Sequence, residues 1–523
     1  MKDPLESAEN APRKRSHLQT AGIGCGLTAA LVVVLAVVTV IIENRSGARE
    51  WKRVHEKLVA ENVELDPKKI LPPLPAPEEN FGAEPMIASL GNYRQDESGN
   101  VIYGDPELAE RFSAMSLRDI LDAEKPNPNR ATGKPADFAA VAEAMRKSAD
   151  FNIPEDINGD AAAVLAGLER FSEDFARVDN AALRPRAVLE LEFADTFLDQ
   201  ISMQMPYIRP ILGFQSLQSI RVCAALETGD TEQARSGIRT MLQTSKVSSS
   251  QPLLVGHLVR VAGHDLVLST IWQGLNHHQF TEEDLAWLEG QLAGESDDIL
   301  ENLELALNLE MIVMTIGACD FMKSPESRKV DLLGMAEVGD TGEKNNLAMR
   351  LVPDGIWDHN KAFGAELLFD TAIKPIRERN LQASEVDVQA VIVERKRSPR
   401  SFMAAILFPA TSRLAGRSFE IAATTDMARV AIAMERFKLA NGKYPASLDA
   451  LVPKFLPAVP KDIASPDGSP LKLTPEGDRY RIYSVGKNGT DEGGKVAFRE
   501  ADRRDVQKGD WAWGYNFEKE QDE

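Results

Sequence analysis

Residues Asp426–Pro445 read DMARVAIAMERFKLANGKYP. Met427, Val430, Met434 and Phe437 recur at helical spacing, so the segment is expected as an amphipathic helix with those four on its buried stripe. Asn441-Gly442 stops it, because glycine takes the left-handed cap conformation cheaply. Tyr444-Pro445 then turns the chain. Upstream, the helix is expected to start near Thr411. Downstream, Ser447–Val452 reads as a short helix and Pro466-Asp467-Gly468-Ser469 as a turn into a strand over Leu471–Thr474. Arg479–Tyr483 and Gly514–Phe517 are further strand candidates. Residues 401–517 are therefore expected to form a small α+β domain built on one long helix.

Past that helix, Ser484-Val485-Gly486-Lys487-Asn488-Gly489 opens an acidic loop, which closes near Asp505-Val506-Gln507-Lys508-Gly509-Asp510-Trp511. Taken in order with Asn441-Gly442-Lys443-Tyr444-Pro445, these segments resemble the globular domain of the major pseudopilin of type II secretion systems. The resemblance covers about a fifth of the chain. It implies a small antiparallel sheet packed on the helix and a loop closed by a structural calcium ion. By the resemblance, Asp505 and Asp510 are the first side-chain ligands for calcium, with Asn488 or Asp491 second. A flexible loop rich in carboxylates and glycines suits the six to eight hard oxygens that Ca²⁺ takes. Lys495, Arg499, Arg503 and Arg504 could instead replace the ion by salt bridges. The chain departs from the family at its other end. The flank His17-Leu18-Gln19-Thr20-Ala21-Gly22 lacks the Gly-Phe-Thr-x-x-Glu cleavage motif, and roughly 370 residues separate the apolar segment from the module. The module is read as borrowed, and secretion-fibre function does not transfer with it.

Ala21–Ile42 is a run of 22 residues without a charge. As a helix it spans about 33 Å, enough for a bilayer core. It is longer than the apolar core of a signal peptide, and Ile41-Ile42-Glu43-Asn44 offers no small-x-small cleavage site. A single uncleaved transmembrane helix over 21–42 is expected, behind a basic tail over 1–20. Lys2, Arg13, Lys14 and Arg15 on one side face Arg45, Arg49, Lys52, Arg53 and Lys57 on the other, so charge alone does not orient it. The basic tail beside the membrane and the resemblance to an exported module favour a cytoplasmic N-terminus. The expected location is the inner membrane, single-pass, with the bulk of the chain extracytoplasmic and membrane lipid as one partner.

The remaining composition is that of a helical body. Aromatics make up 6% of the chain, which favours helices over strands. A net charge of −20 argues against nucleic acid as a partner, since phosphate contacts need clustered Lys and Arg. Cys25, Cys223 and Cys319 form no disulfide framework and no CxxC zinc pair. Residues 43–134 read as a stalk and Pro-rich connector, with Leu71-Pro72-Pro73-Leu74-Pro75-Ala76-Pro77 as a semi-rigid spacer. Residues 135–400 read as an all-helical array or irregular bundle interrupted by a loop at Val338–Asn346. Thr281 is expected to cap a helix with Asp284 three residues on. Residues 518–523 form an acidic tail.

No reaction can be read from the chain. His257 and His264 lie seven apart and His277-His278 follow, but zinc helices place His at i, i+4, so helix-packing roles are expected. Glu301, Glu304 and Glu310 stripe one helix and read as solvation rather than acid–base chemistry. Met311, Met314 and Met322 read as core. The resulting expectation is a mainly α, membrane-anchored scaffold or binding protein of the bacterial envelope. Its partners would be envelope proteins. The layout outside the module resembles an uncharacterised family of bacterial membrane-anchored proteins. The alternative is an envelope-anchored hydrolase with a cleft between the helical and C-terminal domains.

Overall fold

A computed structural model of the chain describes residues 17–96, 98–116, 126–194, 197–325, 327, 352–384, 390–391, 398–402, 411–500 and 503–515. Most of the basic tail, the loop at Val338–Asn346, the end of the strand candidate at Gly514–Phe517 and the acidic tail lie outside the described residues, as does the side chain of Cys25.

Helix α1 (His17–Ala60) is continuous through 44 residues. Its apolar part has no cover: Leu31, Val32, Val33 and Ile42 are 57% or more exposed. Exposing such a run to water forfeits about 25 cal/mol per Å² of apolar surface, and a bilayer removes that cost. Two more helical stretches, Leu254–Asn276 and Glu282–Lys323, are also long and apolar enough to cross a membrane, but 67% and 56% of their apolar windows are buried inside the protein. Beyond Ile42 the same α1 lies on the body, where Val54 and Leu58 are fully buried.

The contact there is backbone to backbone. Helix α11 (Asp354–Leu368) starts against α1, with the Gly355 amide donating to Asn44 Oδ1 at 2.8 Å. A Cβ on Gly47 would stand 2.3 Å from the Gly355 carbonyl oxygen, and one on Gly355 would stand 2.2 Å from that of Glu43. Only two glycines permit this approach. Ion pairs extend it in both directions. Arg400 reaches Glu43 at 2.5 Å, Arg53 reaches Glu366 at 2.7 Å, and Lys57 reaches both Glu366 and Asp370.

Between α1 and α11 lie α2 (Pro106–Ala114), α3 (Phe138–Lys147), α4 (Asp160–Leu168), α5 (Ser172–Ala181), α6 (Ile208–Glu227), α7 (Thr231–Val247), α8 (Leu254–Asn276), α9 (Glu282–Leu292) and α10 (Glu295–Glu310). A two-strand hairpin, β1 (Tyr93–Gln95) with β2 (Val101–Tyr103), precedes α2. The α6–α7 pair is an antiparallel hairpin. Asp230 caps α7 by accepting from the Gln233 amide at 2.9 Å. Thr281 and Asp284 form a reciprocal capping box on α9, as their spacing predicted. One core gathers Phe81, Phe112, Phe175 and Phe214 around α2–α6. A second runs from Val54 and Leu58 through α7–α11 to Trp513 and Tyr515. Helix α6 feeds both: Ile220 and Ala224 face the first, Val222 and Leu226 the second.

Helix α12 (Thr411–Asn441) has its expected length, but its burial is wider than a stripe. From Ala415 to Met434 nearly every apolar residue is below 2% exposure, because α8, α9 and α10 cover one side and the sheet covers the other. Small Ala, Ser and Thr residues all round α12 let those neighbours approach. Gly442 ends the helix at φ 75°, its amide donating to the Lys438 carbonyl at 2.7 Å. A short 3₁₀ turn at Leu448–Leu451 follows. The antiparallel sheet has the order β3 (Lys472–Glu476), β4 (Arg479–Ser484), β7 (Trp511–Trp513). The third strand is thus Trp511–Trp513 and not a segment beginning at Gly514. Ile482 pairs with Trp513, and all three β7 residues are buried, as are Gly514 and Tyr515 just beyond them. Within the acidic loop, β5 (Val496–Glu500) and β6 (Arg503–Gly509) form a separate hairpin. The module folds back on α12: the Tyr480 hydroxyl donates to the Ala431 carbonyl at 3.2 Å, and Phe437 packs edge-on against Phe455.

Candidate functional site

The four residues expected to hold calcium do not share one environment. Asp491 pairs with Lys472 at 2.5 Å and also accepts from the Gly493 amide. Asp505 pairs with Arg499 at 2.9 Å and accepts from the Gln507 amide. These two carboxylates already have bases: Arg499 is one of the four basic residues named above, and Lys472 lies outside that set. Asp510 is different. It is 2% exposed, and its Oδ2 accepts from the Gly494 and Glu492 amides at 2.6 and 3.1 Å. Its Oδ1 is buried without a partner, as is Glu492 Oε2. Asn488 donates to the other Glu492 oxygen at 2.6 Å. Burial, then the adjoining Glu492 carboxyl, pushes Asp510 up to about 7. Glu492 and Asp510 thus set two carboxyls against each other, a pair that a shared proton or a hard cation would satisfy. Asn488 turns its N–H to Glu492 and its Oδ1 to the Thr490 amide. Among the described residues no group of three or more His, Cys, Asp or Glu is arranged for a metal. Asp491 and Asp505 would first have to release Lys472 and Arg499.

The histidines serve packing. Along the seam of α8 and α12, His257 Nε2 meets Ser418 Oγ at 2.8 Å and Nδ1 meets Asn302 Oδ1 at 2.9 Å. His264 Nε2 meets Thr425 Oγ1 at 3.0 Å. Both contacts join residues 161 apart, so α8 and α12 run parallel over these two turns. Burial lowers both imidazoles to about 4, so they are neutral hydrogen-bonding groups at ordinary pH. His278 pairs instead with Glu435, which also accepts from the Tyr444 hydroxyl at 2.6 Å.

One turn beside this seam sits an ion cluster that joins three parts of the chain. Asp265 on α8 accepts from Arg130 of the connector at 2.8 Å and from Arg417 of α12 at 2.7 Å. Arg417 also holds Glu420 at 2.6 Å. Arg504 of β6 donates to the carbonyls of Ala131 and Ala512. Burial opposes ionisation of Asp265, but the two arginines outweigh it and hold the carboxyl at about 2. Trp272 closes the junction by donating to the Gly514 carbonyl at 2.8 Å. These contacts join the helical body to the module at this point.

The glutamate stripe disperses. Glu304 binds Arg377 at 2.8 Å, Glu301 lies 3.8 Å from Arg379, and Glu310 is held up at about 7 by burial alone. Met311 is core, at the start of a π-helical stretch through Gly317. Cys223 and Cys319 are free and buried.

Sequence reasoning missed a cleft of about 920 Å³ inside the helical body, between α4–α5 on one side and α6, α7 and Trp287 of α9 on the other. Its volume lies within the range of small-molecule and short-peptide sites. Arg221 forms its floor, stacked 4.3 Å from the Phe175 ring and bonded to Asp179 at 2.9 Å. Arg235 pairs with Glu283 and Asp284 at 3.2 and 3.1 Å. Arg239 stands over the Trp287 ring at 5.3 Å. The available signal was Arg235 and Arg239 one turn apart on α7, too common on helices to single out. No family model matches the chain, and no curated protein or solved structure matches it.

Proposed function

We propose that this chain is a single-pass inner-membrane protein of the bacterial envelope that holds a helical binding scaffold, with a pseudopilin-like C-terminal module, against the outer face of that membrane. The observation that carries the reading is α1. One unbroken helix presents uncovered apolar residues up to Ile42 and is fastened to the body from Glu43 onward. The body is therefore fixed to its tether and does not swing on a linker. The reading of the module is supported by the order of its parts: a long helix, a glycine-stopped turn, and a small antiparallel sheet packed back on the helix. A phosphatase fused after Glu523 is expected to be active, with the fusion retained in the membrane pellet through a carbonate wash. Activity only from a cytoplasmic reporter at that position would reverse the orientation, and release by carbonate would remove the anchor.

Calcium belongs to the same proposal as a structural ion between the Glu492 and Asp510 carboxyls, beside Asn488. Binding to the folded state alone stabilises it by about 2.7 kcal/mol at a hundredfold excess over Kd. Millimolar Ca²⁺ is expected to slow proteolysis within 488–510 at least several-fold, and Asp510→Ala is expected to abolish the effect. Equal cleavage with Ca²⁺ and with chelator would leave the loop held by Lys472 and Arg499 alone.

A further inference from the structure

We infer that the cleft between α4–α5 and α7 binds a peptide segment carrying one carboxylate beside an apolar side chain, with Arg239 as the residue that receives the carboxylate. The argument begins from the accounting of charge in the cleft. Asp179 is satisfied by Arg221 at 2.9 Å and by the Thr240 hydroxyl at 2.6 Å. Glu283 and Asp284 are engaged by Arg235. Arg239 makes no ion pair and no hydrogen bond among the described residues, although the chain carries 80 acidic residues against 60 basic ones. Burial lowers its pKa, the Asp179 carboxylate beyond ion-pair distance opposes this, and the neighbouring Arg235 adds to it. A half-buried guanidinium stacked on Trp287 has five donors fixed in a plane that matches a carboxylate.

Two further features select a peptide. Asn180 lines the same cleft and is exposed there, and its side-chain amide offers both an acceptor and donors to a peptide backbone. Leu165, Phe175 and Leu183 form an apolar wall, and Leu183 is 62% exposed. Donor, acceptor and apolar surface thus sit within one cleft, as convergent recognition requires. Glu169, Asp230 and Glu232 stand exposed on the rim. They repel a polyanion more strongly than a ligand with one carboxylate, which favours the latter.

The test uses the full chain in detergent micelles and equilibrium dialysis against two pools of N-acetylated tetrapeptides with Leu, Phe, Val or Ala at the last position. One pool ends in free carboxylates and the other in amides. Retention of the acid pool is expected to exceed that of the amide pool at least tenfold. Arg239→Gln is expected to erase the difference, and Arg239→Lys to keep part of it, with unchanged circular-dichroism melts showing intact folds. Equal retention of the two pools, retention of neither, or a preference untouched by Arg239→Gln would overturn the inference. None of these outcomes depends on the membrane orientation or on calcium.

Discussion

Asp265→Ala is expected to destabilise the joint between helical body and C-terminal module by about 2 kcal/mol, below the roughly 3–5 of a fully buried ion pair because the Asp265 side chain is 29% exposed. The replaced carboxylate is the only group that touches both Arg130 and Arg417 among the described residues. Its loss leaves Arg130, 5% exposed, as an uncompensated buried cation, while Arg417 keeps Glu420. Adding Arg130→Met to Asp265→Ala should therefore recover a substantial part of the loss, because the cation is removed with its anion. Trp272, Trp511 and Trp513 sit at this joint and report it by fluorescence during urea unfolding. An Asp265→Ala midpoint equal to wild type would show that the cluster contributes no net stability. The same carboxyl sets a pH response. Its folded value of about 2 lies below the roughly 3.9 of an unfolded aspartate. Its contribution is therefore complete above pH 4 and disappears as pH falls from about 4 towards 2. Asp265→Ala should flatten that part of the stability profile.

Gly355→Val is expected to release α1 from the body. The added Cβ would meet Glu43 O at 2.2 Å, Glu43 C at 2.4 Å and Asn44 Cα at 2.7 Å. All three are backbone atoms, so no rotamer change relieves the overlap, and the helices must separate. Overpacking of this kind typically costs about 1–3 kcal/mol. Here the displacement also draws apart the pairs of Arg53 and Lys57 with Glu366. Limited trypsin digestion of membranes reads the result. Wild type should keep its body in the pellet, since Arg45, Arg49, Lys52 and Arg53 lie in a docked helix. The variant should be cut there and shed a soluble body at least tenfold faster. Equal shedding would mean that the glycine contact does not hold the tether, and the scaffold would then swing on α1 instead of being fixed to it.

How much of this was legible in advance depends on the range of the interaction. The stop at Asn441-Gly442, the Thr281–Asp284 capping box and the apolar run Ala21–Ile42 are decided by residues within four or five positions or by composition. The sequence therefore displays them openly. Trp511–Trp513 went unread as a strand because it is short, and its membership is set by pairing with Ile482 and Tyr483, about thirty residues away. The candidate calcium residues were found by order and type, yet whether each carboxylate is free is decided elsewhere: Lys472 takes Asp491, Arg499 takes Asp505, and Glu492 faces Asp510.

The amino-acid order by itself determined that the chain is mainly helical, that one N-terminal helix can enter a bilayer, and that a glycine-terminated helix leads into a small sheet. Those outcomes follow from local backbone preference and from hydrophobicity, which each segment carries with it. Only the tertiary structure decided that His257 and His264 face Ser418 and Thr425, that Gly47 lies on Gly355, and that Arg239 stands over Trp287 without an ion pair among the described residues. Such pairings depend on where helices more than a hundred residues apart, or four helices around one cleft, come to rest. That is fixed by the packing of whole surfaces, which no single stretch of sequence contains.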